Sequence, residues 1–347
     1  MSEINISKNN EVKKNDCIDS IEDNVSMTTE RIIETIIPPE HAEVRLDSYL
    51  SKRFDYLSRN QWQKAIKNGE ILLNNHRTRS ARILHENDVI KYVTNFTEPA
   101  VEMKYSIIFE DEHFLIVNKG GNLPCHPAGP FFKNTLLYDL EKKYGKNSLF
   151  LVNRLDRETS GLMILTKNSA LAAQMSEVFK TRAIEKEYLS IVHNDFKEYV
   201  DANGFLFDDS TSEVRKKRQF NFEKPCDSAI DYESSRTELF LEERFKNYSL
   251  VKAKLHTGRM HQIRATLYSL GFPLVGDKLY GTDDLFFIKF VNGDLTEFDL
   301  QSLILPRQAL HSWRLKFIHP VTQEELNLMA PLPEDMKIFL ESLKITL

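Results

Sequence analysis

The chain has 347 residues, 41% of them hydrophobic and 28% charged, with a formal net charge of −5. This is enough apolar material for a sizeable core and enough length for two domains. Three scattered cysteines (Cys17, Cys125, Cys226) argue against a disulfide framework or a zinc site, and no apolar run approaches the ~18 residues of a membrane span.

The charge is uneven along the chain. Residues 1–40 hold four Lys or Arg against nine acids, whereas residues 45–91 hold ten basic side chains against five acidic ones. Such local asymmetry points to a polyanion partner more strongly than the total does. Residues 1–40 are polar and poor in aromatics. They are expected to form a disordered acidic tail, with a short helix near TTERIIETII. The many acids and the lack of an apolar h-region set the expectation of a cytoplasmic protein.

Residues 41–98 are expected to form a small α+β module. In VRLDSYLSKRF, apolar residues at Val44, Leu46, Tyr49, Leu50 and Phe54 share one helical face. A second helix is predicted in LSRNQWQKAIKNGE, with Ser58 as N-cap and Gly69 as stop. ILLNNHR then reads as strand, Asn-Asn turn and return, and HENDVIKYV as a last strand. This segment resembles the S4 RNA-binding domain. The resemblance implies a basic face drawn from Arg45, Lys52, Arg59, Lys64, Lys67, Arg77 and Arg79, which would hold RNA phosphates with little sequence information.

From residue 99 onward, strand-like runs (YSIIFE, HFLIVNK, GLMILT, YLSIVH, YSLVKAKL) alternate with amphipathic helices, one of them after Ser169. Residues 197–228 and 282–302 fit no clean period and are expected to be loops or insertions. The RKKR run at 215–218 reads as a solvated stretch.

The densest charge cluster, NRLDRETSG, feeds directly into GLMIL, a short run apolar on both faces and so a buried strand. A loop pinned to a rigid sheet is a usual place for catalytic groups. Asp156 is the candidate there, against the alternative of a carboxylate tying down a turn. In KLHTGRMHQIRATLYSLG a strand is expected to end at Thr257. Helical spacing then starts at Met260, and Gly271 stops it. On the helical wheel Arg264 falls about 80° from the apolar centre, at the rim of the buried stripe. A guanidinium there wants a carboxylate or phosphate, and Asp156 is the proposed partner. Tyr188 is expected where a helix hands over to a strand.

Several motifs then coincide. VNKGGNLPCHPAG, NRLDRETSGLMILTK, EKEYLSIV, LHTGRMHQIR with PLVGDKLYG, and RQALHSWRLKFIHP resemble, in order, the signatures of the RluA-type pseudouridine synthases over roughly residues 105–335. The resemblance implies an α+β catalytic domain at 99–347, with an extended mixed, largely antiparallel sheet and flanking helices behind the S4-like domain. It implies isomerisation of uridine to pseudouridine in structured RNA, ribosomal RNA ahead of transfer RNA, with no cofactor and no metal, by a monomer whose RNA contacts both domains. The roles it implies are Asp156 as catalytic carboxylate, Tyr188 as the tyrosine stacked on uracil and Arg264 as partner of the aspartate. Arg154 would fill the gap left by the flipped base, and Arg259, His261 and Gln262 would lie beside the substrate. The chain departs from the pattern at Asn153 (usually His), Gly120 (usually Pro), Thr266 (usually His) and DSAIDY. The alternative reading is a non-catalytic RNA-binding or ribosome-assembly factor that keeps the fold. Hydrolysis of a glycosidic bond would want a second carboxylate and an activated water.

Overall fold

The structure is a computed structural model that describes residues 28–345 apart from 55, 56, 181, 182, 215, 228 and 284. The tail up to residue 27 and Arg215 of the RKKR run lie outside the described residues. Chain contacts divide the molecule into two compact units. One runs up to Val101 and takes in His126–Asn134. The other holds Glu102–Cys125 and Thr135 onward.

In the first unit, strand β1 (Thr28–Ile36) is followed by helices α1 (Leu46–Arg53) and α2 (Arg59–Asn68), and by strands β2 (Ile71–Leu73), β3 (His76–Arg77) and β4 (Val89–Thr97). The sheet order is β1-β4-β2-β3, all antiparallel. The α2 boundaries follow from local chemistry. Ser58 and Gln61 form a reciprocal capping box, and Gly69 closes the helix in the left-handed region at φ 83°. The Asn74-Asn75 turn has positive φ at both residues, which suits a two-residue hairpin. Leu46, Leu50, Trp62, Ile66, Ile71 and Leu84 pack the core of the unit.

One expectation is corrected here. TTERIIETI is a strand rather than a tail or a short helix, and it pairs with β4 over nine residues. Six of its nine residues are β-branched, which disfavours a helix once a sheet edge is available.

The second unit is a mixed sheet flanked by helices. It comprises β5 (Tyr105–Glu110), β6 (Phe114–Lys119), α3 (Leu136–Tyr144), β7 (Phe150–Leu151), β8 (Ser160–Thr166), α4 (Ser169–Lys180), β9 (Glu185–His193) and β10 (Tyr199–Asp208). Then come β11 (Arg218–Asn221), β12 (Tyr232–Arg244), β13 (Tyr248–Leu255), α5 (Gln262–Ser269), α6 (Leu285–Asn292), α7 (Glu297–Leu303), β14 (Leu310–Ile318), β15 (Glu325–Met329) and α8 (Glu334–Ile345). The strand order is β11-β10-β12-β13-β9-β14-β8-β6-β5, with β15 on β14 and β7 on β8. The β14–β8 pair is parallel and the other pairs are antiparallel. Every residue of β8 is buried, whereas β13 alternates, as expected for a central strand and a half-covered one. Helix α5 packs in the cluster holding Tyr188 and Val251, and α8 in the one holding Ile191 and Val275.

Both segments expected to be loops carry regular structure, β10 and β11 in 197–228 and α6 and α7 in 282–302. Helices of seven and eight residues are too short to show a period, and α7 rests on a Thr296–Asp299 capping box. Strand β13 ends at Leu255, and α5 starts at Gln262 because His261 is left-handed at φ 57°. Tyr188 lies inside β9 rather than at a helix–strand junction. No helix among the described residues is long and apolar enough to cross a membrane.

Candidate active site

Asp156 sits on the loop leading into β8, and that loop is fixed at several backbone atoms. The Asn153 side chain accepts the Ile164 N–H at 2.8 Å, tying the loop entry to the middle of the strand. The Lys119 ammonium at the end of β6 donates to the carbonyls of Gly120, Leu123 and Arg157 at 2.8, 2.9 and 3.1 Å. Burial lowers the Lys119 pKa to about 8. The Cys125 thiol donates to Leu155 O at 3.0 Å. On the far side of the aspartate, Lys278 reaches Glu158 Oε1 and Pro306 O, both at 2.6 Å. Where the loop becomes strand, Gly161 has φ 110°, and a Cβ there would stand 2.2 Å from Ser312 O on β14. Only glycine lets the two strands meet at that point.

The Asp156 carboxylate faces α5. Arg264 Nη1 donates to Asp156 Oδ2 at 2.7 Å, so the pairing expected from the helical wheel is present. The rest of the guanidinium is held from behind: Nε and Nη2 donate to the two oxygens of Asp277 at 2.7 and 2.9 Å. Asp277 is fully buried and also accepts the N–H groups of Leu279 and Tyr280 through Oδ1. The Tyr280 ring lies 4.9 Å from the Arg264 guanidinium carbon. Gln308 donates to Thr159 Oγ1 and stands 3.5 Å from Asp156 Oδ2. Burial pushes the Asp156 pKa up, but the adjacent Arg264 charge outweighs it, so the group lies below its ordinary 3.8. The side chain keeps 35% of its surface open, so this ionised carboxylate is still accessible.

His261 Nε2 is 4.0 Å from Asp156 Oδ2, and its Nδ1 is 3.0 Å from the Tyr280 hydroxyl. That hydroxyl also accepts the Arg218 N–H. Burial, then Arg264, lowers the His261 pKa to about 4, so the ring is neutral at physiological pH. Burial raises the Tyr188 phenol to about 12. Its register partner on β14 is Ser312, itself paired with Gly161 of β8.

The other expected site residues spread out. Arg154 is exposed two residues before Asp156. Arg259 turns outward to Glu233 and Ser234 O, while buried Gln262 bonds Thr257, Arg236 O and Thr237 and so anchors the start of α5 to β12. In the first unit Arg45 and Arg59 both pair with buried Asp47, which also accepts from Gln63. Lys52, Lys64, Lys67, Arg77 and Arg79 are exposed.

Two departures from the family pattern have local reasons. The Gly120 N–H donates to Lys104 O at 2.8 Å, a bond proline could not make, and a Cβ would sit 2.6 Å from the same oxygen. Asn153 serves the backbone of β8, as above. Residues that sequence reasoning missed are Asp277, Gln308, Lys119 and Lys278. Asp277 and Lys278 stand in PLVGDKLYG, where two adjacent charges inside an apolar stretch were the available signal.

The description RNA pseudouridylate synthase matches residues 113–269, and that of the S4 domain matches residues 44–90. The ribosomal large subunit pseudouridine synthase D of Blochmanniella floridana is 32% identical over 331 residues, covering 90% of this chain and 99% of its own. The chain belongs to the RluA-type RNA pseudouridine synthases. It is thus an isomerase of RNA. Another member, an uncharacterized RNA pseudouridine synthase of Bacillus subtilis, is 29% identical, covering 90% of this chain and 98% of its own. Human RNA Pseudouridylate Synthase Domain Containing 4 shares the fold, with a TM-score of 0.53 at 24% identity, covering 69% of this chain and 93% of its own.

Proposed function

We propose that this pseudouridine synthase acts on large-subunit ribosomal RNA and that Asp156 is the carboxylate that acts on the ribose of the target uridine. The observation that carries the second part is the 2.7 Å contact with Arg264 on a carboxylate that stays partly open. The choice of RNA follows the Blochmanniella floridana relative and the ribosomal large subunit pseudouridine synthase D of Xanthomonas campestris, 27% identical over 319 residues.

A paired uridine has to leave its stack before C1′ can be reached, at a cost of roughly a few kcal/mol. Arg154, exposed beside the loop, fills the vacated space by stacking and hydrogen bonding. Tyr188 lies against the uracil, with its phenol protonated at neutral pH. Asp156, kept ionised and aimed by Arg264, engages the electron-poor sugar carbon as the N-glycosidic bond breaks. The uracil turns, C5 bonds to C1′ as Asp156 leaves that carbon, the C5 proton passes to solvent, and N1 takes up a proton in its place. His261, neutral and with Nε2 4.0 Å from Asp156, is placed to share a hydrogen bond with the substrate at the same spot.

The test is tritium release from RNA carrying uridine tritiated at C5, with ribosomal and transfer RNA offered separately. Wild type should release tritium from ribosomal RNA, and Asp156→Ala should not while still binding it. Release by Asp156→Ala would remove the aspartate from the chemistry. Release from transfer RNA alone would overturn the choice of substrate.

A further inference from the structure

We infer that Asp277 is a positioning residue of this active site, which holds Arg264 so that one defined N–H of the guanidinium meets Asp156. The inference rests on the reading of Asp156 as the acting carboxylate, which Asp156→Asn in the same assay tests separately.

A guanidinium offers five N–H donors in one rigid plane. Two anchored nitrogens therefore fix the direction of the third. Here Nε and Nη2 are taken by the two Asp277 oxygens, and Nη1 is the nitrogen that reaches Asp156. Asp277 is itself immobile. It has no exposed surface, and its Oδ1 accepts two consecutive backbone N–H groups, from Leu279 and Tyr280. The face of Tyr280 then limits tilting of the guanidinium. The order is a buried acid, a buried base and a partly open acid, with freedom decreasing away from solvent.

The arrangement also sets the charge at the site. Without Asp277, Arg264 loses two of its three charged contacts and is free to leave Asp156. The titratable groups around the Asp156 carboxylate are Arg264 and His261 from the α5 segment, Tyr188 from β9, Lys119 from β6, Cys125 after β6, and Tyr280 after α5. Of these, Arg264 is the cation in direct contact with the carboxylate, and Gln308 adds a neutral donor. Release of Arg264 therefore moves the acid limb of the rate profile to higher pH. A purely structural role for Asp277 would lower the folded fraction and leave that limb in place.

The experiment compares wild type, Asp277→Asn, Arg264→Gln and the double variant by single-turnover tritium release across pH, together with RNA affinity and thermal melting. Asp277→Asn should slow the reaction on the order of 100-fold, as a misplacement of about 1 Å does, with RNA affinity unchanged and the acid limb raised. The double variant should be no slower than Arg264→Gln alone, since both losses pass through one guanidinium. That comparison does not use Asp277→Asn alone, and rates are taken per folded enzyme because Arg264→Gln leaves Asp277 without its cation. Rates that fall multiplicatively in the double variant would overturn the inference. So would a folded Asp277→Asn protein with the wild-type rate and pH profile.

Discussion

A carboxylate open to a substrate is useful only if its charge and direction survive that openness. Around Asp156 the two are supplied from one side, by Arg264, while the loop beneath is held by Lys119, Asn153 and Cys125. Because the Asp156 pKa lies below 3.8, its ionised form dominates well into acid. The single-turnover rate should thus stay level from about pH 7 to about pH 5 and fall only below its ordinary range. A rate that halves near pH 6 would show that another group controls the step. Arg264→Ala should cost about 3–5 kcal/mol in urea unfolding, because it strands Asp277 as an unpaired buried charge. Asn153→Ala leaves the Ile164 N–H without its side-chain acceptor and should cost about 1–3 kcal/mol, with RNA affinity unaffected. The Asp156–Arg264 pair was legible in the sequence because helical spacing put Arg264 at the edge of an apolar stripe. Asp277 was not legible: its bidentate grip depends on the turn after α5, which no periodicity encodes.

At the scale of elements, the site depends on where β8 and β14 run parallel and touch. Gly161→Ala would drive a Cβ into Ser312 on a backbone at φ 110°, so it should lower both melting temperature and activity. A variant that melts like wild type would mean that the two strands separate freely. Helix α2 was readable because its signals are local, a capping box and a glycine stop within a dozen residues, and α1 because its apolar residues share one helical face. Strand β1 was not, since its Ile pairs also fit a helix and its partner β4 lies more than fifty residues away. Helices α6 and α7 failed for lack of length. Yet Phe290 of α6 lies 4.8 Å from the Arg157 guanidinium and 4.7 Å from the Lys278 ammonium, so this segment braces both flanks of the Asp156 loop.

For the whole molecule, the structure divides the basic residues of the S4 unit into two groups. Arg45 and Arg59 are committed to Asp47, whose carboxyl lies far below its usual range through the Arg45 bond above all. With its folded pKa depressed, Asp47 stabilises the unit fully above its unfolded value near 3.8, and that contribution is lost as pH falls through the lower folded value. Lys52, Lys64, Lys67, Arg77 and Arg79 are exposed, as are Arg53 and Arg82. Neutralising Lys64 and Lys67 together should weaken RNA binding and reduce the salt slope by about 0.7–0.9 per lost phosphate contact, leaving the rate at saturating RNA intact. An unchanged salt slope would remove this helix from the RNA interface.

The most direct test of the central claim is a map of pseudouridine across ribosomal and transfer RNA from cells lacking this protein, supplied with either wild type or Asp156→Asn. The account predicts at least one large-subunit ribosomal site that disappears without the protein, returns with wild type and stays absent with Asp156→Asn. Restoration by Asp156→Asn, or loss confined to transfer RNA, would contradict it.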